Sequence, residues 1–355
     1  MRAASPNDPA PMMDAQAHLA GAREPRAAGA AADVEALRAA YLDLLKLCLC
    51  DLAGTSTVSV GAMADGTVMS RELRGDGLRL RAAGMDWPLQ GLTMVGLGRL
   101  DDLQSCVESV VADGVEGDLI EAGAWRGGAS ILMRATLDAL GDERTVWVAD
   151  SFAGFPEADA PDDGSLDLRD FDFLAAPLED VRASFARLGY EDGVRFVPGF
   201  FEQTLPPLAD HRWAIVRLDA DTYEATRLAL RCLYPGLSVG GHLILDDYGS
   251  FEGCRRAVEE FRADHGIAEP IEVVDSTCAR WRRESAAPIE VAPVRAAEAG
   301  TPRAANPRPP AHVPSARELE LAREVAALRE RLAAAEAQIG ARAWLRRRLG
   351  RGARR

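Results

Sequence analysis

From Gly117 onward, short apolar runs alternate with longer stretches in which apolar residues recur every three or four positions. Runs such as Val146-Trp147-Val148-Ala149 are too short for buried helices and are bounded by turn residues, so they predict strands. Strands are expected at Asp118–Glu121, Thr145–Ala149, Val194–Val197, Ala214–Leu218, His242–Leu245 and Ile271–Val274, with Cys278–Arg282 as an antiparallel edge strand. The helical period predicts helices over Ala129–Leu140, Leu178–Leu188, Tyr223–Leu233 and Glu252–His265. This alternation indicates an α/β fold, a doubly wound, mostly parallel sheet of Rossmann-like type with helices on both faces. Such sheets bind ligands beyond the C-terminal ends of their strands.

The flanks have other patterns. A helix begins near Asp33, with Leu37, Tyr41, Leu44, Leu45 and Cys48 assigned to its buried face. Residues 54–98 are rich in Gly and short polar segments, too long for a connection, and are expected to form a mobile lid or substrate-facing segment. The domain is therefore placed at 33–283, after an Ala/Pro-rich lead-in over 1–32 that is expected to be disordered. Residues 284–316 carry seven prolines and read as a linker. Beyond it, Leu321, Val325, Leu328, Leu332, Ala335 and Ile339 form a heptad stripe, so 317–355 is expected to be a coiled-coil helix with a basic tail.

Charge and composition narrow the function classes. The net charge of -14 excludes a protein that coats nucleic acid with its whole surface, and no nucleic-acid partner is expected. The cationic surplus sits in the last segment, where eleven Arg face five Glu from Arg317 to Arg355. That tail suits a partner helix, a homo-oligomer or weak contact with a membrane surface. The six cysteines form no C-x-x-C pair, and neither a signal peptide nor a membrane span is evident. A cytoplasmic protein with reduced thiols is the expectation.

Three segments carry chemistry. Glu121-Ala-Gly123-Ala-Trp125-Arg126-Gly127-Gly128 follows the first predicted strand of the sheet and opens a helix. Its glycines would let a ligand approach the backbone, and the helix start offers free N–H groups. Trp125 occupies the place of the second glycine of a dinucleotide fingerprint, which disfavours pyrophosphate. A ligand held by an amino-acid end and a ribose fits better, although a bare strand–helix turn also explains the glycines. Asp150, ending the next strand beside Ser151, is suited to ribose hydroxyls, where a simple helix cap is the plainer reading. Finally, Asp219-Ala-Asp221 and Asp246-Asp247 end neighbouring strands, so four carboxylates converge. Helix capping by Asp221 or Asp247 explains one of them. Four together call for a hard cation, and oxygen ligands select magnesium, manganese or calcium.

In their order these residues resemble the macrocin-type O-methyltransferase family, class I methyltransferases that act on deoxysugars of macrolides and related glycosides. The resemblance runs from about Tyr41 to Trp281. It rests on Asp86-Trp-Pro88, Thr93-Met-Val-Gly96, Gly117 to Gly128, Asp150-Ser-Phe-Ala-Gly154, Arg217-Leu-Asp-Ala-Asp-Thr-Tyr-Glu224 and Gly240 to Gly249. It implies S-adenosylmethionine as donor, with Thr93, Met94 and Glu121 lining its pocket beside Gly123, Arg126, Gly127, Asp150 and Ser151. It implies Mg2+, or Mn2+, on Asp219, Asp246 and Asp247, with Asp221 as general base. The acceptor would be a sugar hydroxyl on a small molecule or a carrier. The alternatives are a metal-dependent glycosyltransferase using Asp219 and Asp221, or a non-catalytic coiled-coil scaffold.

Overall fold

A computed structural model of the chain describes residues 30–62, 68–156, 168 and 171–294. The lead-in before residue 30, the heptad stripe and the basic tail lie outside the described residues. The chain opens with α1 (Ala30–Leu49), then β1 (Ser56–Ala62), β2 (Val68–Arg74), α2 (Leu78–Ala82), β3 (Trp87–Pro88) and α3 (Gly96–Ala112). The alternating part follows as β4 (Asp118–Ala122), α4 (Gly128–Leu140), β5 (Val146–Asp150), α5 (Leu178–Leu188), β6 (Val194–Pro198) and α6 (Phe201–Thr204). It continues through β7 (Trp213–Leu218), α7 (Tyr223–Leu233), β8 (Leu237–Leu245), α8 (Glu252–His265), β9 (Glu272–Val273) and β10 (Ala279–Arg282).

The main sheet runs β6-β5-β4-β7-β8-β10-β9, parallel except for β10, which is antiparallel to both neighbours. β4 is followed by β5 on one side, while β7 returns to its other side, so the order reverses between β4 and β7. A crevice opens at such a reversal. Alternation along each strand divides the apolar residues between two cores. Leu119, Val146, Val148 and Ile215 pack under α1, α3, α4 and α5, while Ile120, Val216, Leu243 and Trp281 pack under α7 and α8. The six cysteines are unpaired, and no described helix is long and apolar enough to cross a membrane.

Several expectations are corrected. Cys278–Arg282 supplies an antiparallel strand, but it lies inside the sheet, and the short β9 forms the edge. In α1 the buried residues are Leu42, Leu45, Lys46 and Leu49, while Leu37, Tyr41, Leu44 and Cys48 face outward. The helix carries two interleaved apolar stripes. The one that wins can admit Lys46 because Asp101 pairs with its ammonium. Residues 54–98, expected as a lid or substrate-facing segment, have secondary structure of their own. They hold an antiparallel sheet, β2-β1-β3, whose Ser59 and Val60 face the main cavity. The first part of the expected linker also packs, with Ile289, Val291 and Val294 against the α7/α8 core.

One arginine holds the small sheet in place. Arg81 is fully buried, and its five N–H groups meet Asp86 Oδ1 (2.8 Å) and Oδ2 (2.7 Å), Thr57 Oγ1 (2.8 Å) and the carbonyls of Cys50 and Val58. Removing it strands a buried carboxylate. Arg81→Ala is expected to cost roughly 3–5 kcal/mol in urea unfolding, the range for breaking a buried ion pair. A loss below about 1 kcal/mol, the value of a surface pair, would show that Arg81 is dispensable.

Candidate active site

The turn after β4 sits where the sheet order reverses. Gly123 has φ +92, and a Cβ there would lie 1.8 Å from the carbonyl oxygen of Asp219. Only glycine lets the ends of β4 and β7 approach this closely. The backbone of Gly128 is likewise pressed against the Leu92 carbonyl, and Gly127 against the Phe185 ring. The close approach these glycines permit is therefore to other parts of the protein, and not first to a ligand as expected. Arg126 donates to the carbonyls of Pro88, Leu89 and Gly91 and stacks 4.1 Å above the Trp125 ring. It clamps the loop after β3 onto the turn. Arg126 and Gly127 do not line the cavity, whereas Thr93, Met94, Glu121, Gly123, Asp150 and Ser151 do.

Asp150 closes the same turn. Its Oδ2 accepts from the backbone N–H of Ala124 (2.8 Å) and Trp125 (2.9 Å), and its Oδ1 from Phe152 N–H (2.7 Å). These three donors occupy most of the lone pairs of the carboxylate and leave one on Oδ1. Burial raises its pKa above the ordinary carboxylate value, with the backbone donors acting against that rise. In this state Asp150 organises the turn from the edge of the cavity. Trp125 (φ +48), Phe152 (φ +53) and Asp221 (φ +55) adopt left-handed backbone at the turns around it. Non-glycine residues hold such conformations only where their surroundings enforce them.

The ends of β7 and β8 bring the acids together. β4 pairs Glu121 with Arg217, and β7 pairs Leu218 with Leu245, so the acidic turns that follow lie side by side. Carboxylate oxygens of Asp219, Asp221 and Asp247 lie within 4.8 Å of one another. The Asp221 backbone N–H donates to Asp247 Oδ2 (3.1 Å). Asp246 is held differently: Arg217 donates to its Oδ1 and Arg99 to its Oδ2. Arg217 also reaches Glu121 Oε1 (2.7 Å) and Asp219 Oδ2 (2.9 Å). Both arginines were missed as site residues. An Arg inside the apolar strand Ala214-Ile-Val-Arg-Leu218 was the available signal, because a buried guanidinium demands partners.

Electrostatics follow from this inventory. Among the described residues, Glu121, Asp219 and Asp246 pair with Arg99 and Arg217 beside Asp221 and Asp247, and Arg99 is also shared with Asp275 (3.0 Å). Burial first, and neighbouring carboxylates second, raise Asp221 and Asp247 well above the ordinary range. Asp219 is pushed up to about 6 by burial and by Asp246. Glu121 is raised to about 7 by burial, with Arg217 acting against it. A cavity of about 570 Å³ joins these acids to the β4 turn and to Ser59, Val60 and Trp87 of the small sheet. Trp87 packs on Phe171 and Phe173, with centroids 5.2 Å away in each case, and Phe173 accepts the Trp125 indole N–H through its carbonyl.

A sheet of this order, with its site at the strand reversal, is the Rossmann-like fold of class I methyltransferases. The profile of the macrocin-O-methyltransferase family matches residues 39–283, and the chain belongs to that family. It is 47% identical over 265 residues to 8-demethyl-8-(2,3-dimethoxy-alpha-L-rhamnosyl)-tetracenomycin-C 4'-O-methyltransferase of Streptomyces olivaceus, covering 73% of this chain and 98% of that one. Mycinamicin III 3''-O-methyltransferase of Micromonospora griseorubida is 41% identical, over 69% of this chain and 96% of its own. The structure of the O-methyltransferase NovP superposes with a TM-score of 0.61 at 39% identity, over 70% of this chain and 100% of NovP. The chain is thus an O-methyltransferase of a family that uses S-adenosylmethionine, which removes the glycosyltransferase and scaffold alternatives.

Gly123→Ala tests the packing of the turn. Its strained φ costs roughly 1–3 kcal/mol before any clash with Asp219 is counted. A lower melting temperature and at least a tenfold weaker S-adenosylhomocysteine affinity by calorimetry are expected, about 1.4 kcal/mol per tenfold. Unchanged values for both would show that β4 and β7 have room to part.

Proposed function

We propose that this enzyme methylates a sugar hydroxyl of a glycosylated natural product, using a divalent cation held by the acids at the ends of β7 and β8. The observation that carries the reading is the convergence of Asp219, Asp221 and Asp247 in the same cavity as the β4 turn. The sugar acceptor is supported by the first relative, whose name carries a dimethoxy-alpha-L-rhamnosyl group on a tetracenomycin and a 4'-O-methyl transfer.

The donor set fits Mg2+ or Mn2+: it is all oxygen, and the acids outnumber the arginines. Asp219, Asp246 and Asp247 would hold the ion. Each Asp246 oxygen accepts one guanidinium N–H, which leaves a lone pair on each for a ligand bond. When bound, the donor supplies an electrophilic methyl group and the dication lowers the pKa of an oxygen attached to it.

The chain's own residues do the rest. The β4 turn, Thr93 and Met94 form the donor side of the cavity, and Ser151 fixes its rim by donating to the Gly154 carbonyl (2.6 Å). Asp150 keeps the Ala124 and Trp125 N–H groups aligned. Asp221 faces the cavity on a strained turn and takes the proton of the acceptor hydroxyl at its carboxylate. Trp87, Phe155 and Phe251 surround the acceptor side with apolar surface that excludes water.

The test is S-adenosylhomocysteine formation with a panel of deoxysugar glycosides, with and without chelator. Chelation is expected to abolish turnover, with donor binding weakened but still measurable by calorimetry. Full activity after exhaustive EDTA treatment would overturn the dication. Asp221→Asn should lower kcat by roughly 10²–10⁴-fold, the worth of a general base, with donor affinity unchanged. Full kcat in that variant would place the base elsewhere.

A further inference from the structure

We infer that Arg217 is a positioning residue that couples donor binding to dication binding. The inference rests on the reading of the acids as a dication site, and goes beyond it by linking that site to the donor pocket.

Arg217 lies in the interior of β7, paired in register with Glu121 on β4, and is 2% exposed. Its Nη1 is shared by Glu121 Oε1 and Asp219 Oδ2, and its Nη2 is committed to Asp246. Glu121 lines the donor side of the cavity, while Asp219 and Asp246 belong to the acid cluster. One planar guanidinium therefore joins the two halves, and its fork geometry means that no carboxylate can shift without moving the others. Water cannot replace these contacts: Glu121 is 1% and Asp246 6% exposed. Electrostatic coupling in such a buried network is little screened. Ser130 fixes the far side of Glu121 by donating to Oε2, and Arg99 fixes the far side of Asp246. The chain of contacts is closed at both ends.

The sign of the coupling follows from preorganisation: the two N–H groups of Nη1 go one to Glu121 and one to Asp219. A donor molecule that orders Glu121 also orders the guanidinium, and with it Asp219 and Asp246, so the ion meets carboxylates whose ordering cost has already been met. Donor and dication then favour each other, and linkage makes the effect reciprocal.

The experiment titrates Mn2+ into the full chain by calorimetry, alone and at saturating S-adenosylhomocysteine, whose neutral sulfur removes direct charge repulsion. The wild type is expected to bind Mn2+ at least fivefold more tightly with S-adenosylhomocysteine present. Arg217→Lys keeps a positive charge but cannot fork, so its ratio should fall to within twofold of unity. Ser130→Ala leaves Arg217 in place and should give an intermediate ratio, which serves if Arg217→Lys does not fold. A purely structural role would lower the melting temperature and leave the ratio untouched. A wild-type Mn2+ affinity that ignores S-adenosylhomocysteine, or a full ratio in both variants, overturns the coupling alone. Absence of Mn2+ binding in every condition overturns the dication reading with it.

Discussion

Five carboxylates meet two guanidiniums at the ends of β4, β7 and β8, and the architecture around them follows from that imbalance. Like charges this close, with little water between them, cannot all remain ionised unless further positive charge arrives. The chain manages the conflict in two ways. It commits Arg99 and Arg217 to Asp246, Asp219 and Glu121, and it leaves Asp221 and Asp247 with raised pKa values. A scaffold that stores this much unneutralised acid gains nothing in stability from it. The proposed dication would supply the missing positive charge.

The turns that carry the acids are rigid because the strands beneath them cannot separate. Gly123 against the Asp219 carbonyl pins β4 to β7, and Asp219 N–H donates back to the Ala122 carbonyl (2.9 Å). Arg126 then ties the turn to the loop after β3, which leads into Thr93 and Met94. The small sheet is thereby fastened at two points, through Arg126 and through the buried Arg81 with Asp86. The walls of the cavity are parts of one fastened assembly.

Much of this was legible in the sequence. Apolar runs and the helical period place Leu178–Leu188, Tyr223–Leu233 and Glu252–His265 at their observed bounds, because each carries one clear apolar face. The alternation of strands and helices leads directly to the parallel order, and chain order after strand ends brings Asp219, Asp221 and Asp247 together. The α1 face was not legible, since two apolar stripes interleave there and the choice between them rests on tertiary packing of Leu42, Leu45 and Leu49, with Lys46 paired to Asp101. The antiparallel β1–β2 pair was hidden because Ser56–Ala62 and Val68–Arg74 mix polar and apolar residues on a half-exposed surface. Arg99 escaped because its partner Asp246 lies 147 residues along the chain, and Arg217 because its partners Glu121 and Asp246 come from β4 and the end of β8.

The central claim is that the acid cluster takes one dication, and proton-linked calorimetry addresses it directly. Mg2+ is titrated into the metal-free chain at about pH 6, where Asp219 is near half protonation, in buffers of different ionisation enthalpy. Ligands must lose their protons to bind, so ion binding releases them. The account predicts one ion per chain, net proton release, and loss of both signals in Asp219→Asn and Asp247→Asn. Binding without proton release, or binding that survives both substitutions, would contradict it.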